Sequence, residues 1–377
     1  MTQPLQAPQS VLIANIRLIG DVLLTTPLIG LLRRAYPDVQ IDVLANKGTA
    51  EFLRGDPRVR EVILTKNSEF ATAAERRHYL PRIFRKYDWA LNLNASDRGN
   101  TAAALAGRRV RLGFSDNPSA FKSLWKRLLL THNLPFTNTG HTVDRCAVIA
   151  RALGLPEHPL EVTLAFTPAH AEKVERLLGE LGVGEKFAVV HPFARWDYKF
   201  WRGEGFAEVS DHIHERYGLD MLWTSSPDPE EVARLREAAA KCKYPPKLCP
   251  GLLNLNEVSA LLSRASLYLG LDTAVTHIAA THSARLPVVA LYGPTLIERW
   301  HPWNPLGPAS PQLGARKGIQ LNGLIATVQK DWDCVPCGLA NCDDRGGLSP
   351  CMQQISVAEV ETALAAVWAK AGEKRDS

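Results

Sequence analysis

The fold is most constrained by an alternation of short apolar runs with helical stretches, which recurs in both halves of the chain. Residues 267–292 are the clearest example. Leu267–Leu271 is an apolar run of strand length, and Pro287–Tyr292 is a second run, rich in β-branched residues. Ala274–Ser283, between them, has the length and composition of a short helix. A strand, a helix and a strand in this order predict a parallel sheet.

The first half of the chain has the same alternation. We predict a helix over Val22–Ala35, because leucines recur there at helical spacing until Tyr36, and a second helix over Glu75–Lys86. The strand candidates are Val11–Ile16, Ile41–Leu44, Glu61–Leu64, Ala90–Leu93 and Val110–Phe114. Strands that alternate with helices indicate a doubly wound parallel sheet, in which ligands bind at the carboxyl ends of the strands.

The second half opens another series of alternating elements. Phe187–His191 and Asp220–Trp223 are predicted strands, and Glu230–Cys242 is a predicted helix. Two capping boxes start further helices, and they consist of Asn254 with Glu257 and Ser356 with Glu359. The sequence therefore predicts a second α/β sheet that is closed by a C-terminal helix.

The length of the chain suits two domains, since 377 residues exceed one ordinary core. The predicted boundary is the polar span 154–186, which contains proline and glycine. We expect one Rossmann-like domain over residues 11–170, a second over 186–352, and a packing helix over 356–371.

Composition excludes several classes of protein. An apolar content of 46% and a charged content of 22% are typical of a globular protein. The chain lacks an apolar run of about 18 residues that would predict a membrane span, and its first ten residues lack the features of a secretory signal. We therefore expect a reducing compartment and reduced cysteines. The net charge of +5, from 44 basic and 39 acidic residues, suits binding to phosphate or to an anionic membrane surface. The basic residues are too scattered along the chain to indicate a nucleic-acid-binding surface.

Polar residues follow two predicted strands of the first half. Asp21, beside Gly20, could act as a general base or could cap the next helix, and its position alone does not separate these roles. Residues 92–100 are polar, as a binding loop would be, and offer Asn94, Asp97 and Arg98 as ligand contacts. Further cations could meet an anionic ligand, although each is otherwise a solvated charge, and these are Arg82, Arg85, Lys86, Lys122, Lys126 and Arg127.

Two segments of the second half suit a phosphate-bearing ligand. Residues 191–201, HPFARWDYKFW, combine Arg195 and Lys199 with aromatic neighbours, which fits a diphosphate next to a flat base. An irregular surface loop is the alternative. Asp272 and Thr273 stand between a strand and a helix, whose unpaired N–H groups and dipole favour an anion. Either side chain could instead simply cap that helix.

Four of the seven cysteines lie within 18 residues, in the pattern C-x2-C-x4-C-x8-C. They are Cys334, Cys337, Cys342 and Cys351. In a reducing compartment, clustered thiols suggest a structural tetrahedral zinc site or, less favoured, an iron–sulfur cluster. The spacing is not that of a standard zinc finger, and ordinary buried thiols are the alternative.

These motifs together resemble a known family. Gly20-Asp21 followed by Thr25-Thr26-Pro27 is similar to the N-terminal signature of the lipopolysaccharide heptosyltransferases, glycosyltransferase family 9. HPFARWDYKFW and GLDTAVTHIAA (270–280), followed by YGPT and WHPW, are similar to the donor-site signatures. The pattern most resembles the heptosyltransferase III type and extends from about residue 11 to residue 367.

The resemblance implies an α/β fold of the GT-B type, with two Rossmann-like doubly wound domains that face each other across a cleft. It implies an inverting transfer of L-glycero-D-manno-heptose from ADP-heptose to the lipopolysaccharide inner core. By motif position, Asp21 would be the base, and Lys199 would neutralise the departing diphosphate. The donor contacts implied in this way are His191, Arg195, Asp272, Thr273, Ala274 and His277, with Glu230 as the candidate for the donor ribose. Asn94, Asp97 and Arg98 remain for the acceptor.

The resemblance also implies partners and a location. The donor is ADP-heptose, the acceptor is a lipid A–core oligosaccharide at the inner membrane surface, and no nucleic acid takes part. No cofactor or divalent metal is expected for the chemistry, in keeping with the lack of an Asp-x-Asp pair in the donor motifs. The protein would be cytoplasmic, with peripheral attachment to the inner face of the inner membrane as an option. Two alternatives stay open, a related transferase that uses another nucleotide sugar and a non-catalytic nucleotide-sugar-binding protein.

Overall fold

Apolar runs form the strands of two mainly parallel sheets, one in each of the units into which the chain divides, Met1–Leu164 (unit 1) and Ala165–Ser377 (unit 2). This computed structural model describes residues 5–65, 73–116, 121–305 and 317–375. The span 154–186, predicted as a boundary, contains the division and also a helix of unit 2. In the described part of the chain, no helix is both long enough and apolar enough to cross a membrane.

Unit 1 consists of a sheet with helices between its strands. The described strands are β1 (Ser10–Asn15), β2 (Gln40–Asn46), β3 (Glu61–Thr65), β4 (Tyr87–Asn92), β5 (Gly107–Ser115) and β6 (His132–Pro135). The described helices are α1 (Ile19–Leu23), α2 (Thr26–Ala35), α3 (Ala73–Ile83), α4 (Asp97–Ala106), α5 (Leu124–Leu129) and α6 (Asp144–Ala152), with short 3-10 turns at Glu51–Gly55 and Phe121–Ser123.

The strands of unit 1 run parallel in the order β3-β2-β1-β4-β5-β6. In register, Val11 of β1 pairs with Ile41 of β2 and with Trp89 of β4. The central strands β1 and β4 are buried almost throughout, as expected of a parallel sheet that is covered on both faces. Strands are added on one side of β1 up to β3 and on its other side from β4 onward. The pair β1 and β4 is therefore the topological switch point of this sheet.

Unit 2 repeats this plan with more elements. Its described strands are β7 (Phe187–His191), β8 (Asp220–Ser225), β9 (Lys247–Pro250), β10 (Leu267–Leu271), β11 (Val288–Leu291), β12 (Gly318–Asn322) and β13 (Ile325–Gln329). Its described helices are α7 (Pro168–Leu181), α8 (Gly203–Tyr217), α9 (Pro229–Ala239), α10 (Leu255–Arg264), α11 (Ala274–Thr281), α12 (Ile297–Trp300), α13 (Pro350–Gln353) and α14 (Val357–Arg375), with a 3-10 turn at Asp197–Lys199.

The sheet of unit 2 has the order β12-β13-β11-β10-β7-β8-β9, and only β12 is antiparallel to its neighbour. Strands β8 and β9 lie on one side of β7, whereas β10, β11 and β13 lie on the other, so the switch point is between β7 and β10. Helix α14 packs its buried Val360, Leu364 and Val367 into the core beside the sheet. The predicted doubly wound α/β class is confirmed in both units.

The helix predicted over Val22–Ala35 is two helices, α1 and α2. In a continuous helix the carbonyl of Leu23 would accept a hydrogen bond from the N–H of residue 27, but that residue is Pro27, which has none. The hydroxyl of Thr26 donates to Leu23 O instead, at 2.9 Å, and that of Thr25 donates to Val22 O at 2.6 Å. The break therefore follows from the sequence Thr-Thr-Pro.

Four strands lie outside the predicted set, namely β6, β9, β12 and β13. Strand β13 is buried throughout and lies between β11 and β12, and its short run Ile325–Gln329 was missed although it is not at an edge. The other three, β6, β9 and β12, are at the edges of their sheets, and β6 and β9 each end in a proline. Edge strands are less buried and tolerate proline, so they lack the continuous apolar run that marks a central strand.

Candidate active site

The first candidate site is at the switch point of unit 1. Asp21 follows β1 and Asn94 follows β4, which are the two strands whose carboxyl ends form the crevice of such a sheet. Both residues line one small pocket together with Asn15, Thr142 and Arg145. The pocket thus combines one carboxylate with amide, hydroxyl and guanidinium groups, a set that suits a polyhydroxylated ligand.

Asp21 lies inside α1 and does not cap it. The N-cap of α1 is Leu18, so the interpretation of Asp21 as a helix cap is wrong. The Asp21 side chain is only 11% exposed, and its carboxylate is 3.8 Å from Arg17 Nε. Asn15 Nδ2 donates to the backbone oxygen of Asp21 at 2.9 Å, which fixes this turn against the end of β1. The carboxylate is therefore held on a rigid element at the mouth of the crevice.

The polar loop 92–100 contributes Asn94, Asp97 and Arg98 to different places. Asn94 is buried; its Oδ1 accepts from Ser96 N at 2.9 Å, and its Nδ2 donates to Asn15 at 3.4 Å. Arg98 donates to Thr65 Oγ1 at 3.2 Å, at the end of β3. Asp97 points outward and pairs with Lys126 Nζ at 2.8 Å. Of the three, only Asn94 lines the pocket of Asp21.

The other cations predicted for an anionic ligand have separate surroundings. Arg82 pairs with Glu61, and Arg85 donates to Gly107 O at 2.9 Å. Lys126 is buried, whereas Lys86 and Arg127 are exposed. The side chain of Lys122 lies outside the described residues.

The second candidate site is at the switch point of unit 2. Lys199 follows β7 and Asp272 follows β10, and Lys199 Nζ is 2.6 Å from Asp272 Oδ2. The same ammonium group is 3.4 Å from the backbone oxygen of Asp272. Thr295, in the YGPT segment after β11, donates its hydroxyl to Asp272 Oδ2 at 2.8 Å. The loops after three neighbouring strands thus converge on one buried carboxylate that orients a lysine.

Two buried histidines lie at this edge of the sheet. Burial lowers the pKa of His277 to about 4, and the Lys199 charge lowers it further whereas the Asp272 charge opposes this. His277 Nδ1 is buried and finds no hydrogen-bond partner among the described residues. Burial likewise lowers the pKa of His191 to about 4, and its Nδ1 is 3.0 Å from Thr224 Oγ1. Both imidazoles are therefore neutral near pH 7.

Helix α11 begins directly at this site. Thr273 is its N-cap, but no side chain caps the helix, because the Asp272 carboxylate faces Lys199 and Thr295 instead. The capping interpretation of these two side chains is therefore wrong. The first amide N–H groups, including that of Ala274, have no intrahelical partner and carry the positive end of the helix dipole. They remain available to an anion.

The glycine of the GLD motif has a packing role. A Cβ on Gly270 would lie 2.2 Å from the hydroxyl of Tyr268, so only glycine leaves room for that ring. The Tyr268 hydroxyl is hydrogen-bonded to Thr276 Oγ1 at 2.9 Å, and Thr276 also donates to Leu271 O. This buried chain of hydroxyl groups ties the start of α11 to the end of β10.

Two predicted donor residues contact other groups. Arg195 is exposed, with its guanidinium carbon 5.2 Å from the ring of Trp196, which stacks on Tyr198. Glu230, in the first turn of α9, is exposed and pairs with Arg234 of the same helix at 2.5 Å. Glu230 therefore forms its ion pair within α9 and not with Lys199.

The four clustered cysteines do not support the zinc prediction. Cys334, Cys337 and Cys342 are exposed and Cys351 is buried, and no disulfide joins them. Burial, and next the neighbouring cysteines, raise the pKa of the Cys351 thiol to about 11. Within the described ranges, no group of three or more His, Cys, Asp or Glu side chains is arranged to hold a metal ion.

Sequence reasoning missed several side chains of both sites. Thr142 and Arg145, which line the pocket of Asp21, lie some 120 residues downstream of it, at and near the start of α6. Thr224 reaches His191 from the neighbouring strand. Only Thr295 carried a usable signal, because it belongs to the YGPT segment. The others are ordinary residues whose proximity depends on the packing of distant elements.

Comparisons with known proteins identify the family of the chain. A sequence profile of glycosyltransferase family 9 (heptosyltransferase) matches residues 79–310. Lipopolysaccharide heptosyltransferase 3 of Escherichia coli is 32% identical over 76% of this chain and 84% of its own length.

Solved structures show a shared fold. A family 9 glycosyltransferase from Veillonella parvula is 17% identical, with a TM-score of 0.75 over 96% of this chain and 97% of its own. The ADP-heptose lipopolysaccharide heptosyltransferase II of E. coli is 18% identical, with a TM-score of 0.71 over 96% and 99%. The two Rossmann-like units are accordingly those of a GT-B glycosyltransferase, as predicted. The profile match and the relative above 30% identity show that the chain belongs to glycosyltransferase family 9, the heptosyltransferases.

Proposed function

We propose that this enzyme moves L-glycero-D-manno-heptose from ADP-heptose to the inner core of a lipopolysaccharide, with inversion at the anomeric carbon. The observation that carries the proposal is the complementary chemistry at the two switch points. Unit 1 presents the carboxylate of Asp21 in a polar pocket, and unit 2 presents Lys199 beside the amide groups at the start of α11. A carboxylate can accept a proton, whereas a lysine and amide N–H groups suit phosphate.

The donor residues of unit 2 have defined roles in this proposal. The diphosphate of ADP-heptose is held by Lys199 and by the backbone N–H groups around Thr273 and Ala274. Asp272 fixes Lys199 through the 2.6 Å ion pair. His277 forms a hydrogen bond from its buried Nδ1, which has no partner among the described residues, to an oxygen of the bound ADP-heptose. Arg195, on the exposed aromatic loop, is a further residue for the donor phosphates.

The reaction is a direct displacement. Asp21 removes the proton of the acceptor hydroxyl while the hydroxyl oxygen forms a bond to the anomeric carbon of the heptose. The bond from that carbon to the diphosphate oxygen breaks, and ADP leaves with the bonding electrons. Attack opposite the leaving group inverts the configuration. Lys199 stabilises the negative charge that develops on the departing diphosphate.

On the acceptor side, Asn94 is the residue best supported for sugar recognition, because its side chain shares the pocket with Asp21. Arg98, anchored on Thr65, gives this edge a cation for an acidic group of the inner core. Asp97 contributes indirectly, since its ion pair with Lys126 holds the loop to α5.

The test is incubation with ADP-heptose and a panel of truncated core acceptors, read by mass spectrometry. The expected result is the addition of one heptose to one acceptor of the panel. Donor binding without product on every acceptor would contradict the proposal and favour a non-catalytic sugar-nucleotide binder.

Donor choice is tested separately by thermal shift. A ligand that binds only the native state raises the melting temperature in proportion to the logarithm of its concentration over Kd. ADP-heptose should give the largest shift in a panel of nucleotide sugars. A larger shift with another nucleotide sugar would point to the related-transferase alternative.

A structural zinc ion at Cys334, Cys337, Cys342 and Cys351 stays a prediction separate from the chemistry. Elemental analysis of the purified protein tests it directly. One equivalent of zinc that is lost on replacing Cys337 and Cys342 by Ser would support the site, and metal-free protein with full activity would remove it.

A further inference from the structure

Helix α5 has its polar and apolar faces reversed relative to an ordinary surface helix. Surface helices bury their apolar side chains and leave their cations in water. In α5, Lys126 is buried and pairs with Asp97, whereas Leu124 and Leu128 are exposed on one face, four residues apart. Leu129 is half exposed as well. The ion pair with Asp97 compensates the burial of Lys126, but the leucines stay in water, and an apolar phase that covered them would be favourable.

Exposed apolar side chains are concentrated in this region. We refer to residues 121–129 as the docking segment. Of the twelve exposed large apolar residues among the described positions, four lie in these nine residues. They are Phe121 (87% exposed), Leu124 (41%), Leu128 (73%) and Leu129 (50%). Single exposed leucines need no explanation, but a contiguous group indicates an interaction surface.

Cations flank the same apolar group. Arg127 is exposed and forms no ion pair with any described residue. Arg111 of β5 donates from Nε to Leu129 O at 2.6 Å, so its guanidinium is fixed at the C-terminal end of α5. Unit 1 as a whole carries 22 basic and 14 acidic residues, whereas unit 2 carries 22 and 25. The basic excess of the chain therefore belongs to the unit that bears the docking segment.

We propose that the docking segment binds an anionic lipid surface. Phe121 and the exposed leucines enter the boundary between headgroups and acyl chains, while Arg111 and Arg127 contact lipid phosphates. This combination of apolar insertion and basic charge is what holds an interfacial helix on an anionic bilayer.

Lipid fits this surface better than a protein partner does. The four apolar side chains expose on the order of 500 Å², whereas a stable protein interface buries about 800 Å² on each partner. A short helix with adjacent guanidinium groups is complementary to a layer of phosphates above hydrocarbon. A second copy of this chain would instead bring like charges together.

Docking would present the acceptor site of unit 1 to the membrane. The Lys126–Asp97 ion pair connects α5 to the loop of Asn94, which shares the pocket of Asp21. A sugar acceptor anchored to lipid A would meet the enzyme at this edge. This role in presenting the acceptor rests on the proposed function. The binding of the docking segment to lipid does not, because it requires no sugar.

The experiment is co-sedimentation of the full-length protein with vesicles of phosphatidylethanolamine and phosphatidylglycerol, with pure phosphatidylcholine vesicles as the comparison. The wild-type protein should bind the anionic vesicles and lose binding as salt is raised. Leu128→Glu with Leu129→Glu should lower the partition coefficient at least about tenfold. Arg127→Gln should lower it about fivefold, as expected for one basic residue near the surface. Two exposed leucines of unit 2, changed as Leu252→Glu with Leu348→Glu, form the matched control and should bind as wild type.

Several outcomes would overturn the proposal. These are no binding of wild type to anionic vesicles, equal binding to neutral vesicles, or wild-type binding by the Leu128/Leu129 variant. Sedimentation velocity without lipid provides another such outcome. If the wild-type protein is a dimer and the Leu128/Leu129 variant is a monomer, the segment serves self-association instead of lipid binding.

Activity separates this inference from the proposed function. The Leu128/Leu129 variant should retain turnover on a lipid-free core oligosaccharide and lose it on acceptor embedded in vesicles. If the wild-type enzyme transferred no heptose to any acceptor, the proposed function would be contradicted. The vesicle-binding result would still test the docking segment, because it does not depend on heptose transfer.

Discussion

Units 1 and 2 share one strand order around their switch points but differ in the chemistry placed there. The crevice edge of unit 1 carries Asp21 and Asn94 in a pocket that Thr142 and Arg145 also line, and this unit has an excess of eight basic residues over acidic ones. The edge of unit 2 carries the Lys199–Asp272 ion pair and the start of α11, and this unit has three more acidic than basic residues. Two sheets with the same strand order therefore carry different chemical groups at their crevices.

The difference teaches that net charge and site charge are separate properties. Unit 2 is acidic overall, yet its site offers a lysine and amide N–H groups to an anion. Unit 1 is basic overall, yet its pocket contains a carboxylate, and its surplus cations lie elsewhere, including beside the docking segment. In the proposed function, ligand choice depends on the few side chains at each switch point, whereas net charge governs longer-range association.

The largest expected effect concerns Asp21. Asp21→Asn should lower turnover about 10³-fold, because the amide keeps the shape of the side chain but cannot accept the proton. Donor affinity should stay unchanged, since the residues proposed to bind the donor belong to unit 2. Asp38→Asn, the same change at an exposed position of unit 1, is the control for steady-state kinetics. Near-normal turnover of the Asp21 variant would remove its role as the base.

Acid should weaken unit 2 through four buried histidines, His191, His277, His282 and His301, whose pKa values burial lowers to about 4. Their unfolded pKa is about 6.5, so as pH falls below that value the unfolded state takes up protons that the folded state does not. The stability that these neutral histidines contribute is therefore fully present above about pH 6.5 and is lost as the pH falls toward 4.

The expected size of this acid effect is about 1 kcal/mol per histidine per pH unit. Denaturant unfolding at several pH values, followed by hydrogen exchange within each unit, measures it. Unit 2 should lose protection first. Equal loss in both units, or stability that does not change between neutral pH and about pH 5, would contradict the assignment.

Lys199 should affect both binding and turnover. Lys199→Ala should lower kcat/KM about 10²-fold, because it removes a cation from the place where charge develops on the leaving group. Lys199→Arg should recover part of the loss. Lys241→Ala, an exposed lysine paired with Glu204 in the same unit, should behave as wild type. Unchanged donor affinity and turnover in Lys199→Ala would remove Lys199 from the site.

The smallest effect is expected at Thr295. Thr295→Val deletes the hydrogen bond to Asp272 Oδ2 while preserving the side-chain shape. Unfolding free energy should fall by about 1 kcal/mol, and donor affinity by a few-fold, because Asp272 orients Lys199 less firmly. Isothermal titration with ADP and thermal melting measure the two effects. Thr281→Val, which loses only a local bond to Ile278 O, controls for the substitution itself.

Much of the fold could be predicted because the central strands are buried on both faces. Phe187–His191 and Leu267–Leu271 have the predicted bounds, since continuous apolar runs mark such strands. The edge strands β6, β9 and β12 carry no comparable pattern. The break between α1 and α2 depends on hydroxyl groups that replace the missing proline N–H, which helical periodicity alone does not reveal.

The sequence by itself determined that two doubly wound sheets form and that Asp21, Lys199 and Asp272 follow strands, because local periodicity and strand ends are short-range properties. The tertiary structure alone decided that Lys199 and Asp272 pair across 73 positions, that Thr142 and Arg145 join the pocket of Asp21, and that α5 turns its leucines to solvent. These contacts depend on the order in which strands and helices pack, and that order is set by the burial of the whole sheet.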